Sequence, residues 1–168
     1  MEIANLFRGE WDDIEEDEGF QIRGAGIGRQ IGAELIGGSV FEVDPGKKVW
    51  PYHHHHANEE WLVVLRGRPT LRSPEGEYEL SEGDVVCFRR GPEGAHQVRN
   101  ATDGPARILM LSTMLMPELV EYLDSGKAGA RGEGAAHFPE SPGTVPRLLG
   151  RRELAATPTR AASAAAAP

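Results

Sequence analysis

The 168-residue sequence predicts an all-β protein, and three observations carry that expectation. Between Gly38 and Thr113 the apolar residues fall in short runs rich in Val, Leu, Ile and aromatics. The breaks between those runs are clusters of Gly, Pro, Asp or Ser. Runs so closely spaced favour a sandwich or barrel over alternating βα units.

Taken in order, the runs are GSVFEV, WLVVLRG, TLRS, YEL, DVVCFR, HQVRN and ARILMLST. The separators are DPGKK, RGRP, SPEGE, SEGD, RGPEG and ATDGP, and SPEGE between two strands reads as a hairpin. The single cysteine, Cys87, sits in DVVCF and is expected as a buried strand residue. Alone it excludes an intramolecular disulfide and cannot build a thiolate zinc site.

The flanks carry weaker patterns. Residues 1–34 read as an irregular arm, acidic in WDDIEEDEGF and glycine-rich in GAGIGRQIG. The acidic window lacks the spacing and glycine of a calcium loop, and the glycines lack the G-x-G-x-x-G spacing of a dinucleotide fingerprint. A solvated, loosely packed arm with glycine turns is expected instead. Residues 35–116 form the predicted barrel, and 117–145 a covering segment. In that segment PELVEYLDSG suits either a short helix begun by Pro117 or an extended cover. The Ala/Pro/Arg-rich stretch 146–168 has no apolar stripe to bury and is expected to be a flexible tail. His137, outside the barrel, is expected to be an ordinary surface residue.

Composition narrows the partners. With 39% hydrophobic and 26% charged residues the chain is globular. Its net charge of −8 would repel nucleic acid and anionic membranes, which leaves small molecules and other proteins. No run approaches the roughly 18 apolar residues of a membrane span. The N-terminus MEIANLFRGE lacks a basic stretch followed by an apolar core, so a cytoplasmic protein is expected.

Residues 51–60, PYHHHHANEE, concentrate the candidate chemistry. The run lies far from either end of the sequence, which argues against an affinity tag. A strand places alternate side chains on one face, so His53 with His55, or His54 with His56, can converge on one ion. Glu59 and Glu60 follow directly. His96, in GPEGAHQVRN, can return beside them in a closed sheet as a further donor. Three imidazoles and a carboxylate suit one divalent transition metal, Fe, Mn, Ni, Co or Zn, with room for water or substrate.

These residues resemble the cupin superfamily. Its first motif, G, five residues, H-x-H, three or four residues, E, six residues, G, is similar to the stretch from Gly46 through PYHHHHANEEWLVVLRG to Gly67. The six residues between Glu60 and Gly67 select Glu60 over Glu59. The second motif, G, five residues, P-x-G, two residues, H, three residues, N, resembles GDVVCFRRGPEGAHQVRN, with Gly83, Gly91, His96 and Asn100 in matching roles. Arg89 replaces the family's proline, and two extra residues separate Gly91 from His96, so this turn departs locally.

The resemblance covers residues 35 to 115 and implies a double-stranded β-helix (jelly-roll) barrel with a metal inside one mouth. The implied ligands are His53, His55, Glu60 and His96, with His54/His56 as the other register that the spacing allows. It implies a metal-binding monocupin acting on a small organic molecule, either as an oxygenase or as an isomerase or decarboxylase. A non-catalytic binding or sensing module is the alternative. Tyr52 and the non-ligating histidines are the candidate proton-handling groups. Trp61 alternates with Glu60 and is expected to pack in the core away from the site, whereas Leu62 and Val64 share the face of Glu60. A homodimer is expected, pairing the GSVFEV run across a two-fold axis.

Overall fold

A computed structural model describes residues 1–8, 11–17 and 19–132. In chain order its strands are β1 Asp13–Asp17, β2 Phe20–Ala25, β3 Gly37–Val43, β4 His53–His55, β5 Glu60–Arg66 and β6 Thr70–Ser73, followed by β7 Gly76–Glu79, β8 Val85–Phe88, β9 Gln97–Arg99, β10 Ala106–Ser112, β11 Glu118–Tyr122 and β12 Lys127–Arg131. A short helix, α1 Ile27–Gln30, and a 3-10 turn, Pro92–Gly94, complete the regular elements. The fold is all-β. The tail 146–168, the latter part of the covering segment and His137 lie outside the described residues.

The strands form a six-stranded sheet in the order β1-β2-β3-β10-β5-β8 and two three-stranded sheets, β12-β11-β4 and β7-β6-β9. The small sheets meet where His53 bridges His96 in antiparallel fashion. Between the layers lie Phe41 and Val43 of β3, Leu62 and Val64 of β5, Leu71 of β6, Phe88 of β8, Val98 of β9 and Ile108 of β10, with Val49 and Leu80 from the connections. Each strand contributes alternate residues to this core, as the two-residue period requires. Tight turns close the edges. Ser73 pairs with Gly76 across the β6–β7 hairpin, and Gly67 holds φ at +82°, where a Cβ would also stand 2.9 Å from the Pro105 carbonyl.

Several elements differ from the sequence expectation, each for a local reason. Residues 13–25 show no alternation in sequence, yet β1 pairs with β2 along its full length and β2 pairs with β3. Backbone pairing holds them in the sheet. This addition has a second consequence, because β3 is flanked by β2 and β10. GSVFEV is therefore paired by β10 along its length and by β2 at Val40, Phe41 and Glu42. PELVEYLDSG takes its extended option, with β11 pairing to β4 on one side and β12 on the other.

Cys87 and Trp61 also depart from their expected burial. Trp61 is 47% exposed and Cys87 is exposed, and the two are register partners on the outer face of β5 and β8. DVVCF is apolar at consecutive positions, which conceals its alternation. The pleat turns Phe88 inward, 5% exposed, and leaves Val85, 57% exposed, and Cys87 outside. Trp61 instead donates Nε1–H to Glu59 Oε1 at 3.2 Å.

Candidate metal centre

The site begins with the register of β4. This strand is held by β11, which sets Tyr122 opposite His53, Glu121 opposite His54 and Val120 opposite His55. On the other side His53 exchanges backbone hydrogen bonds with His96, His53 N donating at 3.2 Å and His96 N at 2.8 Å. Pleating then turns His53 and His55 to the barrel interior, where β5 begins with Glu60. The carboxylate Oε2 of Glu60 stands 3.2 Å from His55 Nε2 and 3.4 Å from His96 Nε2. Donor atoms of His53, Glu60 and His96 lie within 4.8 Å of one another. The structure thus gathers His53, Glu60 and His96 at one point and sets His55 against the Glu60 carboxylate beside them.

Hydrogen bonds fix which imidazole nitrogens face that point. His53 Nδ1–H donates to the Pro51 carbonyl at 2.7 Å, and His96 Nδ1–H donates to the Gly94 carbonyl at 2.9 Å. Nε2 of each ring is therefore the nitrogen with a lone pair available. The turn before His96 has absorbed its two additional residues as the 3-10 turn Pro92–Gly94. Gly94 is required there, because a Cβ would fall 1.7 Å from the Arg89 carbonyl oxygen. Gly91 N–H ties the turn to β4 by donating to the His55 carbonyl at 2.7 Å. The ring of Phe88 stacks face to face on His96 with centroids 3.8 Å apart and holds its plane.

Burial and mutual proximity set the charge states. Burial, reinforced by His96 and His55 nearby, holds His53 well below the usual imidazole value. Burial also opposes protonation of His55, but the carboxylates Glu118 and Glu60 outweigh it and push this imidazole up to about 9. Glu60 would be raised by burial, yet His55 and His96 hold it well below the usual carboxylate range.

Three supporting residues come from the segment that sequence reasoning treated only as a cover. Glu118, 3% exposed, places Oε2 3.8 Å from His55 Nδ1. It also accepts backbone N–H bonds from His56 at 3.1 Å and Ala57 at 3.3 Å, and a close hydrogen bond from Asn58 Nδ2. Asn58 in turn receives Thr113 Oγ1–H at 3.0 Å, so the chain between β4 and β5 is pinned around one carboxylate. Tyr122 stacks on His53 at 5.8 Å between centroids. Arg131, partly buried on β12, has its charge disfavoured first by desolvation and supported by Tyr122, Glu60 and Glu118. The period-two burial of Glu118, Val120 and Tyr122 was the available signal.

The other two histidines of the run face the other way. His54 is 2% exposed, and its ring lies 5.0 Å from that of His56. His56 Nε2 is 2.9 Å from Glu121 Oε1. Tyr52 alternates with His53, and its ring lies beneath the Arg72 guanidinium at 3.9 Å. Arg72 is itself clamped by both oxygens of Asp124 at 2.7 and 2.9 Å. Leu62 and Val64 share the face of Glu60 but are 0% and 1% exposed, so they fill the core below the site.

This donor set fits a divalent transition metal. His96 Nε2 is buried without a hydrogen-bond partner, and imidazole nitrogens with a carboxylate are the donor types such ions take. His53, His55, Glu60 and His96 would hold the ion. Residues 39–112 match the Cupin domain family model. No curated protein matches the chain. Among solved structures, a putative sugar phosphate isomerase from Acidithiobacillus ferrooxidans is 27% identical with a TM-score of 0.68, over 77% of this chain and 82% of that one. A sugar phosphate isomerase of the cupin superfamily from Silicibacter pomeroyi is 26% identical with a TM-score of 0.66, over 79% and 82%. A cupin 2 conserved barrel domain protein from Salinispora arenicola is 27% identical with a TM-score of 0.52, over 67% and 87%.

Proposed function

The chain is a member of the cupin superfamily, and on that premise we propose that it is a metal-dependent isomerase of a small polar carbonyl compound. The observation that carries this reading is the convergence of His53, His55, Glu60 and His96 inside the barrel, with two Nδ1 atoms committed to backbone carbonyls. The likeness to two sugar phosphate isomerases favours isomerisation over oxygenation and names the substrate class to try first. A bound divalent metal would supply Lewis-acid polarisation of substrate oxygens.

The chain's own residues supply the rest. Tyr122, beside His53, is the phenol placed to move a proton near the donor cluster, a part for which Tyr52 beneath Arg72 is less well placed. Glu118 is committed to Asn58 and two backbone N–H groups, which suits it to orient His55 rather than to act as a base. Arg131 brings a positive charge felt by Glu60 and Glu118, appropriate beside an anionic substituent.

The test is solvent deuterium incorporation. Protein reconstituted with Mn, Fe, Co, Ni or Zn is incubated in D2O with aldose and ketose phosphates, and the carbon next to the carbonyl is followed by NMR. Interconversion with deuterium at that carbon is expected. Stoichiometric metal with no exchange and no interconversion would support the non-catalytic binding module, and oxygen uptake with catechols or keto acids would support an oxygenase.

A further inference from the structure

The outward face of the histidine run carries a second cluster that the barrel site does not use. The register of β4 and β11 sets Glu121 directly across from His54. His56, two residues along the same face, sits diagonally to Glu121, and diagonal neighbours remain within reach of long side chains. One ligand atom from each of His54, His56 and Glu121 lies within 4.8 Å of the others. His54 is 2% exposed, and neither of its ring nitrogens has a hydrogen-bond partner. A buried imidazole normally finds at least one partner, because its desolvated N–H and lone pair are otherwise uncompensated. His56 and Glu121 are side by side at 2.9 Å and 42% and 44% exposed, free to re-aim by rotamer change.

We propose that His54, His56 and Glu121 form a second divalent-metal site on the outer face of β4 and β11, back to back with the barrel cluster. Two imidazoles and one carboxylate select a borderline ion such as Zn2+, Co2+, Ni2+ or Cu2+ over Ca2+ or Mg2+, which prefer oxygen donors. Coordination at one nitrogen of His54 gives that ring the partner it lacks. The exposed side of His56 and Glu121 leaves the remaining coordination positions to water. The site stands apart from the proposed isomerase reading, since no residue of the barrel cluster belongs to it.

The full-length chain, stripped with chelator and dialysed, is titrated with Co2+ and then Zn2+, with calorimetry and visible absorption as readouts. Wild type takes two equivalents. His56→Ala and Glu121→Gln, both at exposed positions, each lose one equivalent at micromolar free metal and keep the other. Glu60→Gln loses the complementary equivalent, and Mg2+ does not fill the outer site. Retention of the barrel equivalent, with an unchanged melting temperature, shows that the outer variants are folded. The proposal is overturned if wild type binds no equivalent sensitive to the outer pair, or if the His56→Ala/Glu121→Gln double variant still takes both. Weakening of both equivalents together, whichever of the four adjacent histidines is replaced, would also overturn it, as the mark of a loose polyhistidine tract.

Discussion

His53 and His96 are cross-strand partners, each donating its backbone N–H to the other's carbonyl, at 3.2 and 2.8 Å, with ring centroids 4.6 Å apart. That pair joins two three-stranded sheets and presents two imidazoles from distant parts of the sequence to one point. Structure and candidate chemistry share the same hydrogen bonds.

The parity of the histidine run is therefore the first expectation. His53→Ala, His55→Ala, His96→Ala or Glu60→Ala removes the metal equivalent held in the barrel, while His54→Ala leaves it in place. Elemental analysis of each variant after identical dialysis, made in a Glu121→Gln background so that only barrel metal is counted, checks this. Loss in His54→Ala with retention in His53→Ala would reverse the register.

Glu118→Gln tests orientation rather than ligation. The carboxylate lies 3.8 Å from His55 Nδ1 and anchors Asn58 and two backbone N–H groups. Loss of its charge should weaken barrel metal affinity by about 10–100-fold without abolishing binding. Competition against a chromophoric chelator measures the change, and affinity equal to wild type would remove Glu118 from this role.

Metal removal should lower stability. An ion bound only by the folded chain stabilises it by mass action, about 2.7 kcal/mol when free metal is ~100-fold above its dissociation constant. Calorimetric melting with and without chelator should show a higher transition with metal, and the Glu60→Ala variant should lose most of that difference. Coincident transitions for wild type would contradict the barrel assignment.

Leu62 tests the core on which the site rests. It is 0% exposed on β5, two residues beyond Glu60 on the same face. Leu62→Ala should cost about 2–5 kcal/mol through lost burial and a residual cavity, measured by denaturant unfolding. Trp61→Ala, on the exposed face, should cost far less.

Cys87 should react in the native protein. It is exposed, but partial burial and then the nearby Glu59 carboxylate raise its thiol above the ordinary value. A thiol-specific aromatic disulfide should titrate one equivalent without denaturant, more slowly than free cysteine at neutral pH. The rate should keep rising with pH beyond the point where free cysteine levels off, because only the thiolate attacks. Reaction that appears only on unfolding would return Cys87 to the interior.

Much was legible in one dimension because strands write their burial at period two and turns write theirs in Gly, Pro and Asp. The runs from GSVFEV to ARILMLST became β3 and β5 to β10, and their separators became turns. The same local rule narrowed PYHHHHANEE to two alternating pairs. Where alternation was absent the reading failed. The consecutive apolar residues VVCF hid an outward Cys87, and the mainly acidic residues 13–17 gave no alternation to betray β1.

What the sequence by itself determined was the class of fold and the inventory of donors, because both follow from residue chemistry and local period. Only the tertiary structure decided which donors meet. The register of β4 against β11 sent His53 and His55 toward Glu60 and His96, and left His54 and His56 beside Glu121. It also brought Glu118 to His55 across 63 positions of sequence. Register is a property of pairs of strands, so no single run of residues contains it.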